Sequence, residues 1–87
     1  YINICTTKIF IEKVKMTINY QEEIKFISNK IRELRKEKQM TVQELAYRCD
    51  MERSNMSRIE SGRTNLTVKT MCIICNALNV NLRDIIR

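Results

Sequence analysis

Four stretches of this chain share one pattern, which restricts how the chain can fold. Each has an apolar residue, then a residue at a helix-cap position, and a second apolar residue five positions after the first. The apolar pairs are Met40 with Leu45, Met51 with Met56, Leu66 with Met71, and Val80 with Ile85. Such a pair around an N-cap is a hydrophobic staple, which sets the direction in which the chain starts an α-helix. The repeated pattern therefore predicts a series of short helices.

The residues at the cap positions support this interpretation. They are Thr41, Glu52, Thr67 and Asn81. All except the glutamate are of types preferred as N-caps. Glu44 and Asp84 each stand three residues after a cap, at the spacing of a capping box.

A further helix precedes these four. Ile24, Ile27, Ile31 and Leu34 recur at spacings of three and four residues, which places them along one helical face. The chain has 87 residues with one glycine and no proline, and so few turn residues favour helices over a sheet-rich fold. The sequence thus predicts one all-α domain over residues 21–87. Its helices are expected over residues 21–38, 41–49, 52–61, 67–78 and 81–86.

Residues 1–20 follow a different pattern. From Phe10 to Tyr20 apolar and polar residues nearly alternate, which is typical of a β-strand. A single strand is not stable alone. We therefore expect this N-terminal extension to pair with a second copy through about residues 8–20, to pack on the domain, or to remain loose. Met16 is also a candidate initiation site, which would leave residues 1–15 outside the natural chain.

Charge and hydropathy narrow the choice of partner. Lysine and arginine outnumber aspartate and glutamate by 16 to 10, a net charge of +6, which suits an anionic partner without identifying one. No segment has the roughly 18 apolar residues of a membrane helix, and the N-terminus lacks the features of a signal peptide. We expect a cytoplasmic protein with no membrane contact.

Two of the four cysteines, Cys72 and Cys75, have the spacing of a redox or metal pair. The chain has no histidine, and only Cys5 and Cys49 remain to complete a four-sulfur site. The alternative role of these residues, as small apolar groups on a helix, is therefore favoured. We predict no metal and no cofactor. No cluster of catalytic residue types stands out, so we also predict no enzymatic activity.

The segment from Ile31 to Ile86 resembles the phage-repressor (Cro-like, or Xre-type) helix-turn-helix regulators. The resemblance rests on the motifs IRELRKEK, T-x-x-E-L-A, MSRIESGR and ALNVNLRDII. It implies a compact five-helix, lambda-repressor-like fold whose second and third helices form the DNA-binding pair. Asp50 stands where the family usually has glycine, and aspartate is among the few residues that tolerate a left-handed turn.

Arg35 and Glu60 are charged residues on helical faces that are otherwise apolar. Buried charges persist in proteins when they are paired. We therefore predict a structural ion pair between these two residues, and the resemblance implies the same pair.

The resemblance places the DNA contacts on the third helix and on its flanks. The base-reading positions of the family fall on Arg53, Ser54, Ser57 and Arg58. These side chains are short or strongly donating, as a helix that enters the major groove requires. Phosphate contacts are expected from Thr41, Gln43, Ser61, Arg63, Thr64 and Asn65.

Two positions depart from the family. Val42 replaces a glutamine that commonly anchors a phosphate, so Gln43 or the backbone must substitute for it. Glu52 replaces a serine or threonine cap. Its charge suits the positive end of the helix dipole, and this local role is favoured over acceptance of a hydrogen bond from a cytosine amino group.

Together these features predict a stand-alone transcriptional regulator that binds double-stranded DNA and acts as a repressor. A homodimer that reads a palindrome is expected. Its contacts would come from Ile73, from the last helix through Leu82, Ile85 and Ile86, or from the N-terminal extension. The alternative is a protein-interaction module, such as an antitoxin or a restriction-modification controller, that acts mainly through a protein partner. No small-molecule effector is predicted.

Overall fold

The structure is a computed structural model that describes residues 18–87. Within that range the chain forms four α-helices and one 3-10 turn. The helices are α1 (Tyr20–Glu37), α2 (Val42–Arg48), α3 (Arg53–Glu60) and α4 (Val68–Leu78), and the turn is η1 (Leu82–Asp84). The first four predicted helices are confirmed, with ends within one residue of the prediction. None of the helices in this range has the length and apolarity needed to cross a bilayer.

The prediction of a fifth α-helix over residues 81–86 is wrong. The backbone N–H of Asp84 donates to the carbonyl of Asn81 (2.9 Å), and that of Ile85 donates to the carbonyl of Leu82 (3.1 Å). These bonds span three residues and wind the chain more tightly than an α-helix. The Asp84 carboxylate accepts from the N–H of Asn81 (2.8 Å), as the capping-box spacing predicted.

The predicted strand from Phe10 to Tyr20 falls mostly on residues 1–17, which lie outside the described residues. The part that is described, residues 18–20, contains no strand. Asn19 instead caps α1, because its side-chain oxygen accepts from the N–H groups of Gln21 (2.9 Å) and Glu22 (3.3 Å). These bonds satisfy two N–H groups that a helix start leaves unpaired. Tyr20 is therefore the first residue of a helix.

Every element contributes side chains to one apolar core. The side chains with no exposed surface are Ile31, Leu45, Met56, Ile74, Leu78 and Ile85. Each such side chain contributes about 1.5–3 kcal/mol relative to an exposed position. Helices α3 and α4 each pack against α1 and α2, and η1 packs on α4. Burial of Ile85 removes it from the predicted dimer surface, whereas Ile86 remains 38% exposed.

The caps are satisfied unevenly. The hydroxyl oxygens of Thr41 and Thr67 accept from the N–H groups three residues on, at 3.0 and 3.1 Å. The Glu44 carboxylate forms an ion pair with Arg48 (3.0 Å) rather than closing the predicted capping box. At the other end of the domain, the Arg87 guanidinium lies 4.5 Å from the centre of the Phe26 ring and 3.2 Å from the Glu23 carboxylate.

Candidate nucleic-acid interface

A tight turn joins α2 to α3. Asp50 has φ of 60°, the left-handed conformation that the sequence predicted for it. The N–H of Met51 donates to the carbonyl of Ala46 (2.9 Å) and closes the turn. Ala46 is buried, and its small side chain lets the two helices approach closely.

Helix α3 has two different faces. Met56, Ile59 and Glu60 are buried against the rest of the domain. The four predicted base-reading residues, Arg53, Ser54, Ser57 and Arg58, are all exposed. The apolar anchors thus fix the orientation of α3, and a narrow polar face with two guanidinium groups is left open to solvent.

The ion pair between Arg35 and Glu60 is present, and it links α1 to the C-terminal end of α3. Arg35 Nε and Nη2 donate to the two Glu60 carboxylate oxygens at 2.7 and 3.0 Å. Arg35 Nη1 also donates to the carbonyl of Met40 (2.7 Å). Both charged residues are less than 10% exposed, so the pair acts as a directional bond in a region of low dielectric constant.

Two further contacts hold the same end of α3, and sequence reasoning missed both. The buried Ser28 hydroxyl donates to the carbonyl of Ile59 (2.8 Å). Arg32 Nη1 donates to the carbonyl of Glu60 (3.3 Å). Ser28, Arg32 and Arg35 lie at helical spacing on one face of α1, and this spacing was the one signal in the sequence. Together they bind the Glu60 carboxylate and two backbone carbonyls in the last turn of α3, where carbonyls lack partners within the helix.

The N-terminal end of α3 has no comparable support. Glu52 occupies the N-cap position with extended backbone angles, but its side chain makes no capping hydrogen bond. Glu52 therefore does not cap α3 through a hydrogen bond. Its exposed carboxylate acts on α3 only through its charge near the helix dipole.

The predicted phosphate-binding residues lie on both flanks of α3. Thr41, Gln43, Ser61, Arg63 and Asn65 are exposed, and Thr64 is half-buried. Val42 is half-buried and packs on the core, which explains why an apolar residue fits this position. The Ser61 hydroxyl donates to the carbonyl of Arg58 (2.7 Å), so its proton is already engaged within the domain.

Two of the three cysteines within residues 18–87 are buried as small core side chains. Cys49 and Cys75 are buried in the core and Cys72 is exposed. Burial raises the pKa of the Cys49 thiol to about 11. Burial also raises the pKa of Cys75, with smaller contributions from the nearby Cys72 and Asp84. In residues 18–87 no three histidine, cysteine or acidic side chains are grouped as a metal site would require.

Comparison with known proteins identifies helix-turn-helix proteins as similar to this chain. The helix-turn-helix family HTH_3 matches residues 31–85. The restriction-modification controller protein C.Esp1396I is 33% identical, with a TM-score of 0.66 over 74% of this chain and 82% of that chain. No curated protein matches the chain.

Two other solved structures are similar in fold alone. The restriction-modification controller C.AhdI from Aeromonas hydrophila is 23% identical, with a TM-score of 0.70 over 74% of this chain and 97% of that chain. The clp gene regulator ClgR from C. glutamicum is 24% identical, with a TM-score of 0.69 over 71% of this chain and 80% of that chain. The matched segment of the family includes the whole of α2, the turn and α3. The chain therefore belongs to the helix-turn-helix (HTH_3) family of DNA-binding transcription regulators.

Proposed function

We propose that α3 enters the major groove of a specific duplex site, and that the protein represses transcription by occupying this site. One observation carries the proposal: the apolar face of α3 is buried while the four predicted base-reading side chains are exposed. Serine at two of these positions keeps the helix narrow enough to approach the base edges. Arg53 and Arg58 are each able to donate two hydrogen bonds to one guanine.

Phosphate contacts on both flanks of α3 would fix its position on the duplex. On one side, Thr41 caps α2 and Gln43 lies in its first turn, where backbone N–H groups and the helix dipole favour an anion. On the other side, Arg63, Thr64 and Asn65 follow α3 in a loop. We expect Ser61 to contribute less than these residues, because its hydroxyl proton is bound to the Arg58 carbonyl.

The active form in this proposal is a homodimer. A single helix of eight residues contacts only a few base pairs, and two-fold dimers extend the site to two half-sites about one helical turn apart. Among the predicted dimer contacts, Ile86 is exposed, whereas Ile73 and Leu82 are partly buried against the core.

A second candidate function is control of a restriction-modification system. It is favoured by the 33% identity to C.Esp1396I, whose chain is covered over 82% of its length. In that role the selected DNA site would lie in the promoter region of a neighbouring methyltransferase or endonuclease gene. Its absence there would contradict this second candidate function.

The test is selection of bound sites from random duplex DNA, followed by binding measurements on two variants. Replacement of Arg58 by alanine should cost about 1–3 kcal/mol on the selected site and relax the preference at one base position. Replacement of Arg63 by alanine should weaken selected and unrelated duplexes by the same factor. Enrichment of no sequence, or equal losses for R58A on both duplexes, would contradict base reading by α3.

A further inference from the structure

We infer that α1 supplies an additional binding surface for the DNA backbone, built from Lys25, Asn29 and Arg32 beside the C-terminal end of α3. The inference rests on the proposed DNA binding. Two of the three residues, Lys25 and Asn29, lie outside the segment that matches the family, which is residues 31–85. Three properties of this surface support it: its shape, its charge and the way its side chains are held.

The three residues line a polar cleft of about 190 Å³, whose other walls are Ser28, Glu60, Ser61 and Gly62. A second cleft shares Lys25 and Gly62 with the first and continues along Arg63 and Asn65. The surface on α1 is therefore continuous with the loop for which phosphate contacts are proposed.

The charge of this surface is positive. The one acid in its lining is Glu60, and both carboxylate oxygens of Glu60 accept from Arg35. The ion pairs found in residues 18–87 involve Lys30, Arg35, Arg48 and Arg87. In that part of the chain, Lys25, Arg32 and Arg63 thus have no carboxylate partner, and their charges remain available to an external anion.

Arg32 is held in position by its neighbours. Its Nη1 donates to the carbonyl of Glu60 (3.3 Å), and its Nη2 donates to the side-chain oxygen of Asn29. A guanidinium group has five N–H donors, so most of them remain free. A side chain that is already ordered loses less conformational entropy when it binds a phosphate.

Lys25 packs beside Gly62, the glycine that follows the C-cap of α3. A Cβ atom placed on Gly62 would lie 3.5 Å from Lys25 Cγ, so the aliphatic part of the lysine passes directly across this position. Lys25 also lines the cleft that contains Arg63, so its charge belongs to the same surface.

The position of the cleft makes the DNA backbone the occupant we propose. Helix α3 has eight residues and is about 12 Å long, and the major groove is about 12 Å wide. When α3 lies in the groove, its ends come close to the phosphate walls. Ser61 and Gly62, at its C-terminal end, are walls of the cleft.

The experiment measures the affinity of the full chain for the selected duplex and for an unrelated duplex over a range of salt concentrations. The variants are K25A and R32A, and the matched control is K30A, on the opposite side of α1. K25A and R32A should each weaken both duplexes several-fold by the same factor. Each should also reduce the slope of log K against log salt by about 0.9, the value for one lost phosphate contact. K30A should leave the affinity and the slope unchanged.

A second variant separates binding from folding at Arg32, since this residue also contacts the Glu60 carbonyl. R32K keeps the charge and should keep the salt slope even if it lowers thermal stability. Unchanged slopes in K25A and R32A, or an equal decrease in K30A, would overturn the inference while the proposed function stands. Failure of the unmodified protein to bind any duplex would overturn both.

Discussion

The two ends of α3 are held in different ways. The C-terminal end is fixed by directional bonds to α1: two from Arg35 to the Glu60 carboxylate, one from Ser28 and one from Arg32. The N-terminal end has no capping bond from the Glu52 side chain and is held by burial of Met56 and by the turn from α2, where Cys49 is buried. Apolar burial is not directional, so we expect the N-terminal end to adjust more readily to the DNA.

The charges of the two ends differ as well. Lys25, Arg32 and Arg63 surround the C-terminal end. At the N-terminal end, the exposed Arg53 is accompanied by two exposed acids, Asp50 and Glu52. Under the proposed function, phosphate attraction comes mainly from the first group. The acids repel the backbone, so unspecific binding is weakened unless the N-terminal base contacts are made. The difference suggests a division between affinity at one end and selectivity at the other.

The largest effect on stability is expected when Arg35, which donates two of these directional bonds, is replaced. Replacing Arg35 by methionine leaves Glu60 buried without a partner and should lower the free energy of unfolding by about 3–5 kcal/mol. The measurement is chemical denaturation followed by circular dichroism.

The double variant R35M/E60M provides the control. Replacement of both partners by apolar residues of similar volume is often neutral, so it should recover most of the lost stability. A single variant that loses less than about 1 kcal/mol would show that the pair is not needed, and the contrast between the two ends would then fail.

A smaller effect is expected at Gly62, which follows the C-cap of α3. Gly62 has φ of 78°, a left-handed conformation in which a Cβ atom is strained. Replacement by alanine should cost about 1–2 kcal/mol, mostly as backbone strain, because the added Cβ would meet Lys25 only at 3.5 Å. Asparagine, which tolerates this conformation better, should cost less than alanine in the same denaturation experiment. Equal costs would argue against the left-handed backbone.

The sequence was informative where a single residue signals its own environment. The staple pairs, such as Met40 with Leu45, predicted the helix starts, because apolar residues on each side of an N-cap pack against each other where a helix begins. The ion pair of Glu60 could be predicted because an acid on an otherwise apolar helical face is stable when a cation pairs with it. The exposed face of α3 followed from the same periodicity.

The sequence was less informative where a contact depends on distant segments. Ser28 and Ile59 are 31 residues apart, and the position of a serine within an apolar stripe does not indicate which carbonyl it will bind. Local competition caused the other errors. Arg48, four residues after Glu44, takes the carboxylate that the capping box would use. At residue 81 the cap signals marked a start correctly, but they do not determine whether the turn that follows is an α-helix or a 3-10 turn.

The burial of Cys49, in the turn that leads to the N-terminal end of α3, can be tested through pH. The pKa of the Cys49 thiol is raised by burial from 9.0 to about 11 in the folded protein. The unfolded chain therefore loses this proton first. The stability from the neutral buried thiol is fully present below pH 9 and is lost as the pH rises toward 11.

The size of this loss follows from the pKa difference. The loss should reach roughly 1 kcal/mol at pH 10, since one pKa unit corresponds to about 1.4 kcal/mol. The control is C49A, which removes the thiol but keeps Cys75 and the other titrating groups. The stability difference between the two proteins should narrow between pH 8 and pH 10. A constant difference would mean that the thiol is not desolvated.

The smallest effect, and the only stabilising one, is expected at Glu52. A serine at this N-cap would accept a hydrogen bond from an N–H group in the first turn of α3, which the glutamate side chain does not do. E52S should therefore raise the free energy of unfolding by about 0.5–1 kcal/mol in chemical denaturation.

E52S also removes a negative charge that faces the proposed duplex, so binding to unrelated DNA should increase more than binding to the selected site. E52Q separates the two effects, because it removes the charge without supplying a good cap. If E52Q raises unspecific binding as E52S does, the acid at this end serves selectivity, whereas no change in either variant would remove the proposed division between the two ends of α3.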